Sequence, residues 1–263
     1  MNEFKKLHDG SKLLTLPNAW DAGSARLFES LGAPAIATTS AGVAWAQGYA
    51  DNDHLPVDNA VAVAANIARV LTVPLSIDFE NGYSSEPEQV ARNVLRLIEA
   101  GVSGINLEDG NDAPTLLADK IRAIKKLAAQ SGKDIFINTR TDVYLRNLAP
   151  ESERVAEVLK RAALYKEAGA NGLFVPGICK TEEIKTVASS AGLPLNVMDW
   201  PGLPSHEELH QLGVARFSAG SGIAQALWAV AAGMAKDFLA TGNAGPLIGQ
   251  AMPYGDLQAL FVK

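Results

Sequence analysis

Asp78, Glu80, Glu108, Asp109, Arg140, Asp142 and Asn196 are the residues of this chain whose types and spacing could do chemistry together. Asp78 and Glu80 stand two apart at the end of an apolar run, a spacing that turns both side chains to one side of a strand. Glu108 closes the next such run and sets a third carboxylate beside them. Three adjacent carboxylates repel one another unless a cation joins them. Oxygen donors with no histidine nearby suit Mg2+, with Mn2+ as the alternative, rather than zinc. Because magnesium keeps several of its waters, direct ligation by one of the three acids is enough. The plainer role for such acids is capping helix N-termini or pairing with surface lysines. Their convergence on one predicted face argues for the cation. Arg140 follows Thr139 and presents a planar fork suited to a carboxylate or phosphonate, its plainer role being an ion pair with Asp142 or Asp109. Thr38, Thr39, Ser40, Ala41 and Gly42 end another run and supply hydroxyls and backbone N–H groups for an oxyanion.

The elements that must position these residues recur along the chain. The apolar runs are LLTLPN (13–18), AIATTS (35–40), PLSIDFE (74–80), GINLED (104–109), DIFINTRTD (134–142), GLFVPG (172–177), PLNVM (194–198) and ARFSAG (215–220). Each is short enough for a buried strand, and mostly continuous apolar character is what a strand covered on both faces requires. Between them lie segments with helical periodicity. The segment from Pro87 has proline in its first turn and ends on Gly101, the usual asymmetry of helix ends. The segments 115–131, 151–168 and 181–190 repeat the scheme. Eight strand–helix units in series predict an α/β fold, a (β/α)8 TIM barrel, with chemistry at the C-terminal ends of the strands. Residues 1–263 then form one domain, and 241–263, glycine-rich and weakly helical, is an extra C-terminal segment expected on the barrel exterior or against a neighbouring subunit.

Composition sets the boundaries. A hydrophobic content of 48% and a charged content of 20% fit a globular protein with a large core. The net charge of -6 argues against a nucleic-acid or anionic membrane partner, so any bound anion must be drawn by a local charge. No stretch approaches the length of a spanning helix, and the N-terminus lacks a signal-peptide pattern. A lone cysteine, Cys179, excludes an internal disulfide and fits a cytoplasmic location.

LPNAWDAGSARLFESLGAPAIATTSAG, then SIDFENGY, LEDG, INTRTD, GLFVPG and PLNV in that order resemble the isocitrate lyase and phosphoenolpyruvate mutase superfamily. The resemblance runs from about Pro17 to Gly220. It implies Mg2+, a 2-oxo acid or its enolate as ligand, and cleavage or formation of a bond to carbon 3. By position it assigns Asp78, Glu80 and Glu108 to the metal, with Asp51 as an acid behind it. It assigns Thr39, Ser40, Ala41 and Gly42 to the loop that holds the substrate carboxylate, Arg140 to the oxyanion, and Asn196 to the substrate's distal end. Arg140 and Glu108 are then the catalytic candidates, and a homotetramer with exchanged C-terminal helices is implied.

One stretch departs from the pattern. Where the lyases carry a Lys-Lys-Cys-Gly-type loop and the phosphonate enzymes a lysine and an asparagine, this chain reads LEDGNDAPTLLADKIRAIKK. It has no loop cysteine and little room for a lid. The leading expectation is therefore a Mg2+-dependent lyase or decarboxylase of a small 2-oxo or hydroxy (di)carboxylic acid. A phosphonate P–C mutase or hydrolase is the alternative, and a non-catalytic 2-oxo-acid-binding protein the alternative of another class. Other signals carry less. His206 and His210 match a zinc-protease spacing, but in a predicted outer helix with no third ligand in view. The Gly220-Ser221-Gly222 stretch lacks the last glycine of a dinucleotide fingerprint and reads as a tight turn before as a phosphate site. Cys179 reads as a packed thiol, and Trp45 as a core, interface or pocket residue.

Overall fold

A computed structural model describes residues 3–262. Its nine strands are β1 (Leu14–Leu16), β2 (Asn18–Ala19), β3 (Ile36–Thr38), β4 (Leu75–Asp78), β5 (Gly104–Glu108), β6 (Phe136–Arg140), β7 (Gly172–Phe174), β8 (Leu195–Met198) and β9 (Val214–Ser218). All pair in parallel, in the order β1-β9-β8-β7-β6-β5-β4-β3-β2. The two ends of that order, β1 and β2, are separated in the chain by Pro17 alone. The sequence predicts one strand there. The structure breaks it because proline has no N–H to give to a ladder, so the first half pairs with β9 and the second with β3. The ring therefore closes as a TIM-type barrel of eight strand positions, one of them interrupted.

Helices fill the connections, among them Ala22–Ser30, Val57–Val70, Pro87–Glu99, Pro114–Gln130, Arg154–Ala168 and Thr181–Ser190. Their starts follow local chemistry. Asp21 and Ser24 form a reciprocal capping box, as do Ser205 and Glu208 before the short His206–Gln211 helix. Prolines open the helices at Pro87 and Pro114.

Two apolar clusters reflect the alternation of the strands. Outward-facing residues such as Ile77, Ile105, Leu107, Ile137, Leu173 and Val197 pack against the helices as the main core. Inside the barrel, Leu14, Leu16, Ala35, Ala37 and Phe136 form a separate cluster with Phe4. Phe4 lies on the N-terminal helix Glu3–Lys6, which plugs the lower end of the barrel. Above this plug the inward positions turn polar: Ser76, Asn106, Asn138, Asn196 and Arg216 are all buried. One residue pair further along each strand lies the upper mouth, where the site residues stand.

The Gly222–Thr241 helix behaves differently from the others. Its only buried residue is Ala224, while Leu227, Trp228 and Leu239 are 54%, 54% and 85% exposed. The unpacked surface thus begins within this helix, before the segment 241–263. The chain end does return to the barrel at one point, where Arg26 Nε donates to the Leu260 carbonyl at 2.8 Å. No helix among the described residues is long and apolar enough to cross a membrane.

Candidate active site

Asp78, the last residue of β4, is held from three sides. Its backbone N–H donates to Thr38 Oγ1 at 2.8 Å, its Oδ2 accepts from the Ser40 N–H at 3.2 Å, and its Oδ1 accepts from Asn106 Nδ2 at 3.3 Å. Behind Asn106, Asn138 Nδ2 donates to Asn106 Oδ1 at 2.9 Å. The chain of amides fixes which face Asp78 turns to the mouth. There it borders a cavity of about 170 Å³ shared with Ser40, Ala41, Asp51 and Arg140, while Phe174 and Met198 supply an apolar wall. That space suits a small acid. Larger hollows exist on the molecule, but they lie away from the C-terminal strand ends; the one lined by Arg69, Thr72 and Pro74 is an example.

Glu80 and Glu108 stand beside this cavity without lining it. β4 ends at Asp78, and Glu80 adopts a left-handed backbone with φ +48°. Its carboxylate accepts from the Asp53 N–H and from the Tyr83 hydroxyl, the latter at 3.1 Å. The strand reading expects Asp78 and Glu80 side by side. The turn instead sends Glu80 toward the loop that carries Asp51 and Asp53. Burial, with the Asp53 and Asp78 carboxylates adding to it, pushes the Glu80 carboxyl up to about 8. Glu108 ends β5 and pairs with Arg140 Nη1 at 2.8 Å. Burial also pushes Glu108 up to about 8, against the pull of Arg140.

Arg140 is clamped. Besides Glu108, it donates from Nε and Nη2 to the two oxygens of Asp142, at 2.6 and 3.1 Å. Burial disfavours its charge, yet Glu108 and Asp142 outweigh that and hold the guanidinium protonated. The ion pairs considered for Arg140 from the sequence are thus real in part, and they coexist with its place on the cavity wall. Asp142 is in turn fixed by its backbone N–H, which donates to Asp109 Oδ1 at 2.9 Å. Asp109 Oδ2 takes Tyr165 Oη at 2.6 Å and Arg161 Nη1 at 2.9 Å. The LEDG aspartate is a buried anchor beneath the arginine, not a ligand at the mouth.

The remaining expected residues divide. Thr39, Ser40, Ala41 and Asp51 line the cavity. Gly42 is not on the cavity wall; an added Cβ there would meet Thr39 Cγ2 at 2.8 Å and Trp20 Cβ at 3.0 Å, so the first turn of the Ser40–Ala46 helix has no room for a side chain at this position. Asn196 lies a layer below the mouth and accepts from Ser218 Oγ at 3.1 Å. The tight turn at Gly220 is present, with φ +57°, and its N–H donates to Asn18 Oδ1 at 3.0 Å. His206 meets Thr15 Oγ1 at 2.9 Å on the exterior, away from the mouth. Cys179 is half-buried and outside the cavity, and Trp45 borders a separate aromatic groove with Tyr49 and Trp228. The sequence reading passes over Asn18, Asn106, Ser218 and Arg216. For three of them a signal was there: a polar residue interrupts an otherwise apolar strand at Asn106 in GINLE and at Arg216 and Ser218 in VARFS.

Among the described residues no group of three acidic, histidine or cysteine side chains is already gathered as a ligand set. The donors nonetheless fit a hard dication. Asp51 Oδ1 is buried with no hydrogen-bond partner, and Asp51 borders the same cavity as Asp78. A carboxylate oxygen so placed calls for a cation, and the oxygens around it are the kind Mg2+ or Mn2+ takes. Asp51 and Asp78 would hold it, with Glu80 and Glu108 flanking.

Comparison with known proteins agrees with this architecture. An uncharacterized protein of Mycobacterium tuberculosis (strain ATCC 25618 / H37Rv) is 36% identical over 98% of this chain and 96% of its own length. The oxaloacetate decarboxylase of Pseudomonas entomophila (strain L48) is 27% identical over 80% of this chain and 75% of its own length. A crystal structure from Burkholderia cenocepacia J2315, provisionally described as a phosphonomutase, superposes with a TM-score of 0.81 at 38% identity, covering 87% of this chain and 96% of that one. The sequence profile of phosphoenolpyruvate phosphomutase matches residues 4–239. With its closed barrel and its strand-end acids facing one arginine, the chain belongs to the phosphoenolpyruvate phosphomutase family, in the isocitrate lyase and phosphoenolpyruvate mutase superfamily.

Proposed function

We propose that this protein is a Mg2+-dependent lyase or decarboxylase acting on a small 2-oxo or 2-hydroxy dicarboxylic acid through an enolate. One observation carries the reading: a small cavity has cation-seeking oxygens, Asp51 and Asp78, on one wall and the clamped Arg140 guanidinium on another. In this reading the N–H groups and hydroxyl of the Ser40 segment receive the substrate's C1 carboxylate. Arg140 donates to the oxygen on carbon 2, where negative charge grows as the bond at carbon 3 breaks. Its three ion-pair contacts hold that donor in place before the reaction, so little reorganisation is needed. A bound dication would supply Lewis-acid polarisation of the same oxygen. Glu108 orients Arg140.

The loop between β5 and the next helix selects among reactions. Only residues 109–113 separate Glu108 from Pro114, and none is a cysteine. No long lid with a built-in acid can come from that segment. Decarboxylation fits such a site, because carbon dioxide leaves without a proton and water can protonate the enolate afterwards. The likeness to the Pseudomonas entomophila decarboxylase supports this choice. The Burkholderia cenocepacia likeness favours a second reading, P–C bond chemistry on a phosphonate. That reading is weakened because Gly110 stands where the phosphonate enzymes carry a lysine.

Oxalate mimics the enolate of pyruvate and is the probe for this site. Calorimetry of the full chain should show oxalate binding only when Mg2+ or Mn2+ is present, weakened at least about tenfold in Asp78→Asn. Oxalate binding that ignores both the cation and the substitution would overturn the assignment, as would no binding at all. Turnover of oxaloacetate rather than phosphonopyruvate then separates the two reactions.

A further inference from the structure

Arg216 is a cation without an assigned task. It stands two residues before Ser218 on β9, so its side chain enters the barrel one layer beneath the cavity floor. The residue is 0% exposed. Its Nε donates to Ser218 Oγ at 3.1 Å, and that hydroxyl donates to Asn196 Oδ1, also at 3.1 Å. Both terminal nitrogens, Nη1 and Nη2, have no hydrogen-bond partner, and neither does Asn196 Nδ2. Among the described residues no carboxylate lies within 4.0 Å of its guanidinium nitrogens, whereas Arg140 meets both Glu108 and Asp142. Burial lowers the Arg216 guanidinium to about 10, against the pull of Asp78, so it is still charged near neutrality.

An unpaired buried charge costs stability, and an apolar side chain of similar length would serve the core better. The compensation has to come from what the charge does above it. The wall of the cavity carries two acids, Asp51 and Asp78. A dicarboxylate entering there meets repulsion, and Arg140 is already committed to two carboxylates. Ser218 is the one contact of Arg216 that reaches the cavity directly.

We propose that Arg216 is the cationic floor of the site, a positioning residue that draws the substrate's distal carboxylate toward Ser218 and Asn196. The inference rests on the function proposed above and names how that site accepts a dianion. It carries a consequence that packing alone does not: the same charge repels the divalent cation. Anion and cation affinities must therefore move in opposite directions when it is removed.

The test is calorimetry on the full-length wild type, Arg216→Met, Arg216→Gln and Arg216→Lys. Three titrations are needed: Mn2+ alone, oxalate with saturating Mn2+, and 3,3-difluorooxaloacetate with saturating Mn2+, the last carrying a distal carboxylate that oxalate lacks. In Arg216→Met, difluorooxaloacetate should bind on the order of tenfold more weakly, oxalate should lose less, and Mn2+ should bind several-fold more tightly. Arg216→Lys should restore most of the anion affinity. Arg216→Gln keeps a donor for Ser218 without the charge and gives the same comparison should the methionine variant not fold. Equal losses for Mn2+ and both anions, or no change in any, would overturn the proposal in favour of a packing role. Absence of anion binding in the wild type would instead remove the functional reading on which it rests.

Discussion

Arg140 is useful because of what surrounds it, and its surroundings extend two layers back. Glu108 and Asp142 hold the guanidinium, Asp109 holds the Asp142 backbone, and Tyr165 and Arg161 hold Asp109. Tyr165 is fully buried, 56 residues along the chain from the carboxylate that it meets. Burial and the neighbouring Asp109 charge both raise its hydroxyl, so it stays protonated and donates. Tyr165→Phe removes one donor and leaves part of Asp109 Oδ2 unsatisfied. Thermal unfolding should show a loss of about 1–2 kcal/mol, the usual cost of such a deletion. If Asp109 orients Arg140 through Asp142, kcat for the preferred 2-oxo acid should fall several-fold while KM changes little. A stability loss with unaltered kcat would confine Tyr165 to packing.

At the scale of the element, the N-terminal helix and the residues after it close the lower barrel end. His8 stacks on Phe136 with ring centroids 4.3 Å apart and meets Phe4 edge-on at 4.8 Å. Its Nδ1 contacts the Phe4 carbonyl at 2.9 Å. Burial, with the Arg216 charge inside the barrel adding to it, lowers His8 from 6.5 to about 4. The unfolded chain therefore takes up a proton at His8 below about pH 6.5, while the folded chain resists until about 4. Folded stability from this group is complete above the higher value and is lost as pH falls toward the lower one, by about 3 kcal/mol in all. His8→Phe keeps the aromatic packing and removes the titration. Thermal melts from pH 4 to 7 should show wild type losing stability relative to His8→Phe as the pH drops. Parallel curves would mean that the plug opens before His8 titrates.

The whole molecule ends in a surface that a lone barrel does not explain. Helix Gly222–Thr241 exposes Leu227, Trp228, Val230, Phe238 and Leu239, and beyond it Ile248 and Tyr254 are each 78% exposed. An apolar helix left this open calls for a partner, and a second copy of the chain supplies the same apolar surface in return. We propose a homo-oligomer assembled through this helix. Light scattering after gel filtration should give a multiple of 27.7 kDa, and Trp228→Asp with Leu239→Asp should reduce it toward the monomer mass. A monomeric wild type would refute the assembly.

Much of this was legible in the sequence because two periodic signals are local. Apolar runs of strand length, separated by capped amphipathic helices, already specify parallel strands and so a barrel whose chemistry sits at one mouth. Asp78, Arg140 and the Ser40 segment were readable for the same reason: each closes a run. Properties set by side chains meeting across the barrel were not. Pro17 splits its strand because it offers no N–H to a ladder, and only the closed ring shows that the residues before and after it pair with different neighbours. Glu80 leaves the wall through a backbone turn that the spacing of two carboxylates does not encode. That Gly42 has no room for a side chain shows only when Trp20 and Thr39 are seen against it. Arg216 looks in sequence like any charged residue near a strand end, and only closure of the ring makes it a buried cation beneath a carboxylate-lined mouth. Local patterning determined the elements and their order. Contacts between residues far apart in the chain decided which polar groups face the cavity, because only the closed barrel sets the layer in which each inward side chain stands.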